Sequence, residues 1–284
     1  MTPRAYATRV LDLLERRALY ADRVDWPVVR ARLLAAADRA VAPAELHEVL
    51  DVVAREAGGP HSRLLPPDTV RQLADGPARF PEARVVDGTG VLVLPGCRRD
   101  HRCRRAYAAA GGRALGALPP VGGWVVDLRG NGGGSMWPML AVAAPLLHGD
   151  GVIGAFIDRA CARIPWWLRR GRVGTGWWPQ ARSTGPSQLP GPVAVLTDGD
   201  TASSGEAVAV AFRGLPRVRS YGAATYGFST ANESYPMPDG ARLLITGARF
   251  CDRTGAVYEG PLTPDAEVLE GDALPVALAD LTRH

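Results

Sequence analysis

Two apolar runs, Trp124-Val125-Val126-Asp127-Leu128-Arg129 and Pro192-Val193-Ala194-Val195-Leu196-Thr197, each pass through a short polar turn into a second apolar stretch. Those stretches are Met136 to Leu147 and Ser204 to Phe212. Runs of this length without polar alternation fit strands buried on both faces, and the stretches behind them have the composition of helices. A chain that repeats strand, turn and helix closes its core by laying its strands side by side in a largely parallel sheet, with helices on both faces. Other segments continue the pattern: a strand over Gly90 to Pro95, a helix over Arg104 to Leu118, and a strand over Val218 to Ala223. Pro238-Asp239-Gly240 reads as a hairpin tip, with Leu243 to Arg249 as its return strand. The fold class is therefore α/β.

Two regions depart from the alternation. Residues 5 to 57 carry apolar positions at helical spacing in three groups: Val10 to Tyr20, Trp26 to Leu34, and Leu46 to Val53. We expect a small helical bundle over 1–57, ended by Gly58-Gly59-Pro60, and a catalytic-size core over 58–284. Residues 64 to 85 read as a loop with one short helix. Residues 160 to 190 form an insertion in which Trp166-Trp167 and Trp177-Trp178 flank an arginine- and glycine-rich stretch. It fits a hairpin packing its aromatics on the core, or a lid contacting an extended ligand.

Composition removes several functions. The chain of 284 residues has no lysine, so no lysine can act as base or Schiff-base nucleophile. Its net charge of +4, spread evenly, gives no case for nucleic acid. Cys97, Cys103, Cys161 and Cys251 form no CxxC pair, so neither a metal site nor a disulfide scaffold is expected. We expect no cofactor and no membrane span, and, as the N-terminus lacks an apolar secretory segment, a cytoplasmic protein.

Thr201-Ala202-Ser203-Ser204-Gly205-Glu206 joins strand to helix and can present a serine hydroxyl beside free N–H groups at a helix start. The same letters also fit a capping box with Ser203 as N-cap and Glu206 as its partner. Three segments support the chemical reading. Among His47, His61, His101, His148 and His284, only His61 sits in a glycine-flanked turn, Gly58-Gly59-Pro60-His61-Ser62. Asp127-Leu128-Arg129-Gly130-Asn131-Gly132-Gly133-Gly134-Ser135 lies at the carboxyl edge of the sheet, where successive glycines can aim N–H groups at a carbonyl oxygen. Gly222 to Asn232 is a polar, glycine-containing loop after a strand.

In this order the segments resemble the S41 serine peptidases, the group of C-terminal processing, tricorn core and lantibiotic-resistance proteases. The closing Gly260-Pro261-Leu262-Thr263-Pro264-Asp265 extends the match over most of the chain. The histidine turn and helical N-terminus look most like the lantibiotic-resistance branch. The resemblance implies a ClpP/crotonase-like core without a PDZ domain, since 62–89 is too short for one. It implies Ser203 as nucleophile, with Ser204 the adjacent and poorer match, and His61 as base. Where processing proteases use a lysine, this chain has Phe228. The oxyanion donors implied are the N–H of Ser204 and a glycine of Gly132-Gly133. Glu206 and Ser62 are the candidates to hold the second imidazole nitrogen. Asn131, Tyr226, Gly227, Trp166, Trp167, Trp177 and Trp178 are the expected substrate contacts. The activity implied is a serine endopeptidase forming an acyl-enzyme, cleaving a peptide or protein substrate near its C-terminal end. The alternatives are acyl transfer, such as peptide cyclisation or ester chemistry, and a non-catalytic peptide-binding role.

Overall fold

A computed structural model describes residues 1–283, so His284 lies outside the described residues. Helix α1 (Pro3–Arg17) starts where the Thr2 hydroxyl accepts the Ala5 N–H, and buries Tyr6, Ala7, Val10, Leu11 and Leu14 on one stripe. Helix α2 (Trp26–Ala37) is capped by Asp25, and α3 (His47–Gly58) ends at Gly59, which has a left-handed φ of 80°. Strand β1 (Arg63–Leu65), helix α4 (Pro67–Asp75) and strands β2 (Glu82–Val86) and β3 (Thr89–Val93) follow, so the segment expected to be mostly loop also contains strands. Then come α5 (His101–Gly116), β4 (Trp124–Asp127) and α6 (Met136–Ala143). Four strands, β5 (Gly151–Asp158), β6 (Arg163–Arg169), β7 (Arg172–Thr175) and β8 (Trp178–Arg182), precede β9 (Val193–Thr197) and α7 (Ser204–Phe212). The chain ends with β10 (Val218–Gly222), β11 (Thr230–Pro236), β12 (Arg242–Cys251), β13 (Val257–Tyr258), β14 (Ala266–Glu267) and α8 (Ala273–Leu281).

These elements form two compact units. The first comprises Met1–Pro77, Asp158–Ala162 and Thr230–Ala248. The three expected helices are present, but the boundary at 57 is not observed. The apolar stripes of α1, α2 and α3 close over Leu64, Met237, Ala241, Leu243 and Ile245 as well as over one another. Strand β1 pairs antiparallel with β12 from Arg63 opposite Leu244 to Leu65 opposite Arg242, and β11 also pairs with β12. The hairpin tip is fixed by Asp239, whose Oδ2 lies 2.7 Å from His47 Nε2.

The second unit comprises Ala78–Ile157, Arg163–Ser229 and the described residues from Arg249 onward. Its six-stranded sheet runs β14-β10-β9-β4-β3-β2 and is parallel except for β2 against β3. Val91, Val125, Ala194, Leu196 and Tyr221 pack on Ala273 and Ala277 of α8, while the alternate residues Leu92, Val126 and Val195 are buried on the other face. That double burial is why these strands read as continuous apolar runs. The expected single pattern is incomplete, because β5 to β8 form an antiparallel meander with no helices between the strands.

Candidate active site

The ends of β4 and β9 lie side by side, so the turns that leave them meet. Asp198 accepts the Gly130 N–H at 2.9 Å, and the Asn131 carbonyl accepts the Ala202 N–H at 2.9 Å. Asn131 is fully buried; its Nδ2 donates to the Leu94 carbonyl at 2.7 Å and its Oδ1 accepts the Gly133 N–H at 3.0 Å. With both ends of its amide committed, Asn131 braces the turn and does not contact substrate, which corrects the expectation for this residue. Gly133 has φ of 101°, and a Cβ there would stand 3.0 Å from Ser203 Cβ and from Ser204 N. The glycine turn therefore lies directly against the serine turn.

Ser203 has φ 53° and ψ −113°, a conformation sparsely populated by any residue with a Cβ. Its side chain makes no cap hydrogen bond, and its N–H donates to Glu206 Oε2 at 2.7 Å. The Ser204 hydroxyl is spent on the Gly134 carbonyl at 3.0 Å, which separates the two adjacent serines. The Ser204 N–H, at the first position of α7, and the Gly132 N–H donate to no group among the described residues. The Gly133 N–H is already taken by Asn131. Glu206 is fully buried; its Oε1 accepts the Thr225 hydroxyl at 2.6 Å and the Gly227 N–H at 3.1 Å. Burial pushes its carboxyl up, against the pull of these hydrogen bonds. Glu206 thus ties the start of α7 to the loop after β10. In that loop Tyr226 is 57% exposed and its ring meets Phe228 edge-on at 4.6 Å.

In the first unit, a Cβ on Gly58 would fall 2.0 Å from Ser62 Oγ, so a side chain there would displace Ser62. Ser62 Oγ accepts the Thr246 N–H at 2.9 Å and is not the imidazole partner. That partner is Thr230, whose Oγ1 lies 2.8 Å from His61 Nδ1. Asn232 Nδ2 donates to the His61 carbonyl at 2.8 Å, and Asn232 Oδ1 accepts from Thr246 Oγ1 at 2.7 Å. Thr230 and Asn232 close the polar segment Gly222 to Asn232, whose letters single out neither residue, because they lie on β11, whose polar sequence carries no strand signal.

The tryptophans divide. Trp166 is fully buried against Phe156 and Phe250, with ring centroids at 4.8 and 5.4 Å, so it belongs to the core and cannot touch substrate. Trp167 is half-buried and donates Nε1–H to the Gly176 carbonyl at 2.9 Å. Trp177 and Trp178 are 94% and 73% exposed.

The family model for peptidase family S41 matches residues 106–268. A nisin-resistance protein of Lactococcus lactis subsp. lactis is 29% identical over 267 residues, 94% of this chain and 83% of that one. A solved lipoprotein of Streptococcus agalactiae superimposes with a TM-score of 0.85 at 27% identity, over 100% of this chain and 97% of its own. The photosystem II D1 C-terminal processing protease shares the fold, with a TM-score of 0.66 at 14% identity over 100% of this chain and 97% of that one.

Proposed function

As the chain belongs to peptidase family S41 and is a serine-type peptidase, we propose that it cleaves peptides through an acyl-enzyme on Ser203, with His61 as the base. The observation that carries this reading is the backbone of Ser203, held at φ 53° in a strand-to-helix turn by a buried carboxylate on its N–H. Strain of that kind persists only where surrounding contacts impose it, and it exposes the hydroxyl at the mouth of a turn. A serine hydroxyl is a weak nucleophile until a base takes its proton. With the Nδ1–H of His61 donating to Thr230, Nε2 carries the lone pair that accepts that proton.

Attack by Ser203 Oγ on the scissile carbonyl places negative charge on its oxygen, and the N–H groups of Ser204 and Gly132 are the donors for that charge. The imidazolium then protonates the leaving amine, and water, activated by the same imidazole, hydrolyses the ester. Cleavage near the C-terminal end of the substrate belongs to this proposal. The similarity to a nisin-resistance protein makes nisin the first substrate to try. Intact-mass spectrometry after a fluorophosphonate probe tests the site. One adduct on the wild type, absent from Ser203→Ala and strongly reduced in His61→Ala, is expected. An adduct that survives Ser203→Ala overturns the assignment.

A further inference from the structure

Strand register sets three arginines in one row across the outer face of the meander. Arg169 of β6 is directly opposite Arg172 of β7, which is directly opposite Arg182 of β8. Directly paired residues share a face, and like charges paired in this way oppose sheet formation. The other face of these strands buries Trp166, Leu168 and Val173, so the arginines point outward. Arg30, Arg129 and Arg213 elsewhere have carboxylate partners, whereas Arg169, Arg170, Arg172 and Arg182 have none among the described residues. Between Asp158 and Asp198 the sequence holds six arginines and no acidic residue. The row borders a concavity of about 540 Å³ whose remaining wall includes Trp167, Trp177 and Pro179. Trp167 packs against Gly174, where a Cβ would come within 2.6 Å of its ring, and Arg169 sits 5.5 Å from its centroid.

A cationic row left without counter-charges calls for an anionic partner, and the exposed indole of Trp177 beside it defines its kind. Trp178 pairs with Thr175, which pairs with buried Trp166, so Trp178 leaves the arginine face, and Trp177 by itself does not form a spaced platform on which successive nucleic-acid bases would stack. An exposed indole beside a cluster of arginines does fit a bilayer interface, where indole rings settle at headgroup depth and guanidinium groups meet lipid phosphates. We propose that the outer face of β6, β7 and β8 docks this peptidase on anionic phospholipid surfaces. The face is opposite the one packed toward α6, so this role is separate from the chemistry of Ser203.

The test is co-sedimentation of the full chain with vesicles of phosphatidylcholine alone, and of phosphatidylcholine with phosphatidylglycerol, at low salt and at 0.5 M salt. Binding to the phosphatidylglycerol vesicles only, weakened by salt, is expected. Each arginine near an anionic surface contributes about fivefold in affinity, so the triple variant R169Q/R172Q/R182Q should lose on the order of a hundredfold. W177A should weaken binding separately. Circular dichroism establishes that each variant is folded, and relief of like-charge pairing keeps the triple variant at least as stable as the parent. Failure to bind phosphatidylglycerol vesicles overturns the proposal, as does unchanged binding by the folded triple variant. Tighter binding to a single-stranded oligonucleotide than to these vesicles also overturns it, in favour of a nucleic-acid partner.

Discussion

In the proposed mechanism, Thr230 and Gly133 act through single atoms away from the Ser203 hydroxyl. Removing the Thr230 hydroxyl leaves Nδ1 of His61 without the group that orients it, so Thr230→Val should lower peptidase turnover about tenfold or more, and Thr230→Ser should restore it. Steady-state rates across pH check this, because loss of orientation lowers the plateau of the profile. Gly133→Ala must strain a φ of 101° and press a methyl group to 3.0 Å from the Ser204 N, so it should cost about 2 kcal/mol of stability and most of the activity. Gly132→Ala, with nothing within 4 Å of the added carbon and its N–H retained, should fold and cleave nearly as the parent does. Thermal melts and turnover of the two variants give the comparison. The sequence pointed to Ser203 because a strand, a polar turn and a helix are all legible locally. It could not point to Thr230, because a threonine at the head of a polar strand looks like any other until the fold sets it beside His61.

At the scale of elements, legibility followed burial. Strands β4 and β9 announced themselves because both faces are covered, and α7 because it is buried all round. The meander did not, because its outer face is arginine and tryptophan and its inner face only three buried side chains on β6 and β7. Nor did β11, which buries no residue fully. The turn between β12 and β13 carries a testable electrostatic load. Buried Asp252 accepts the N–H groups of Thr254, Gly255 and Ala256 and the Thr254 and Tyr258 hydroxyls. Burial raises its carboxyl, but those donors outweigh burial and hold it below the usual carboxylate range. Its folded-state pKa is therefore depressed, so its stabilisation is present above the unfolded value of about 4 and is lost as pH falls through the folded one. Urea midpoints should drop between pH 6 and pH 3, and Asp252→Asn should be less stable at pH 6 but lose less on acidification.

The whole molecule is assembled from distant pieces of chain, and this decides what can fold alone. The helices of residues 1–57 looked like a bundle because each carries an apolar stripe. Yet the core they build includes Leu64, Met237, Ala241, Leu243 and Ile245. Leu11, Leu14, Leu50 and Val53 are fully buried in the assembled unit. Without β1 and β12, part of the apolar surface in this core would face water, at a cost of about 25 cal/mol per Å². The Asp239 contact to His47 and the strand pairing to β1 would also be absent. A fragment of residues 1–57 should therefore show weak helicity and no cooperative melt, since short helices without their tertiary partners are marginal in water. A fragment joining 1–77 to 230–248 through a short glycine-serine linker should melt cooperatively. Far-ultraviolet circular dichroism against temperature distinguishes the two. A cooperative transition in 1–57 alone would mean that its helices bury one another sufficiently and that the hairpin only covers them. A transition restricted to the joined fragment would place folding of the His61 turn under the control of residues that follow Ser203 in the chain.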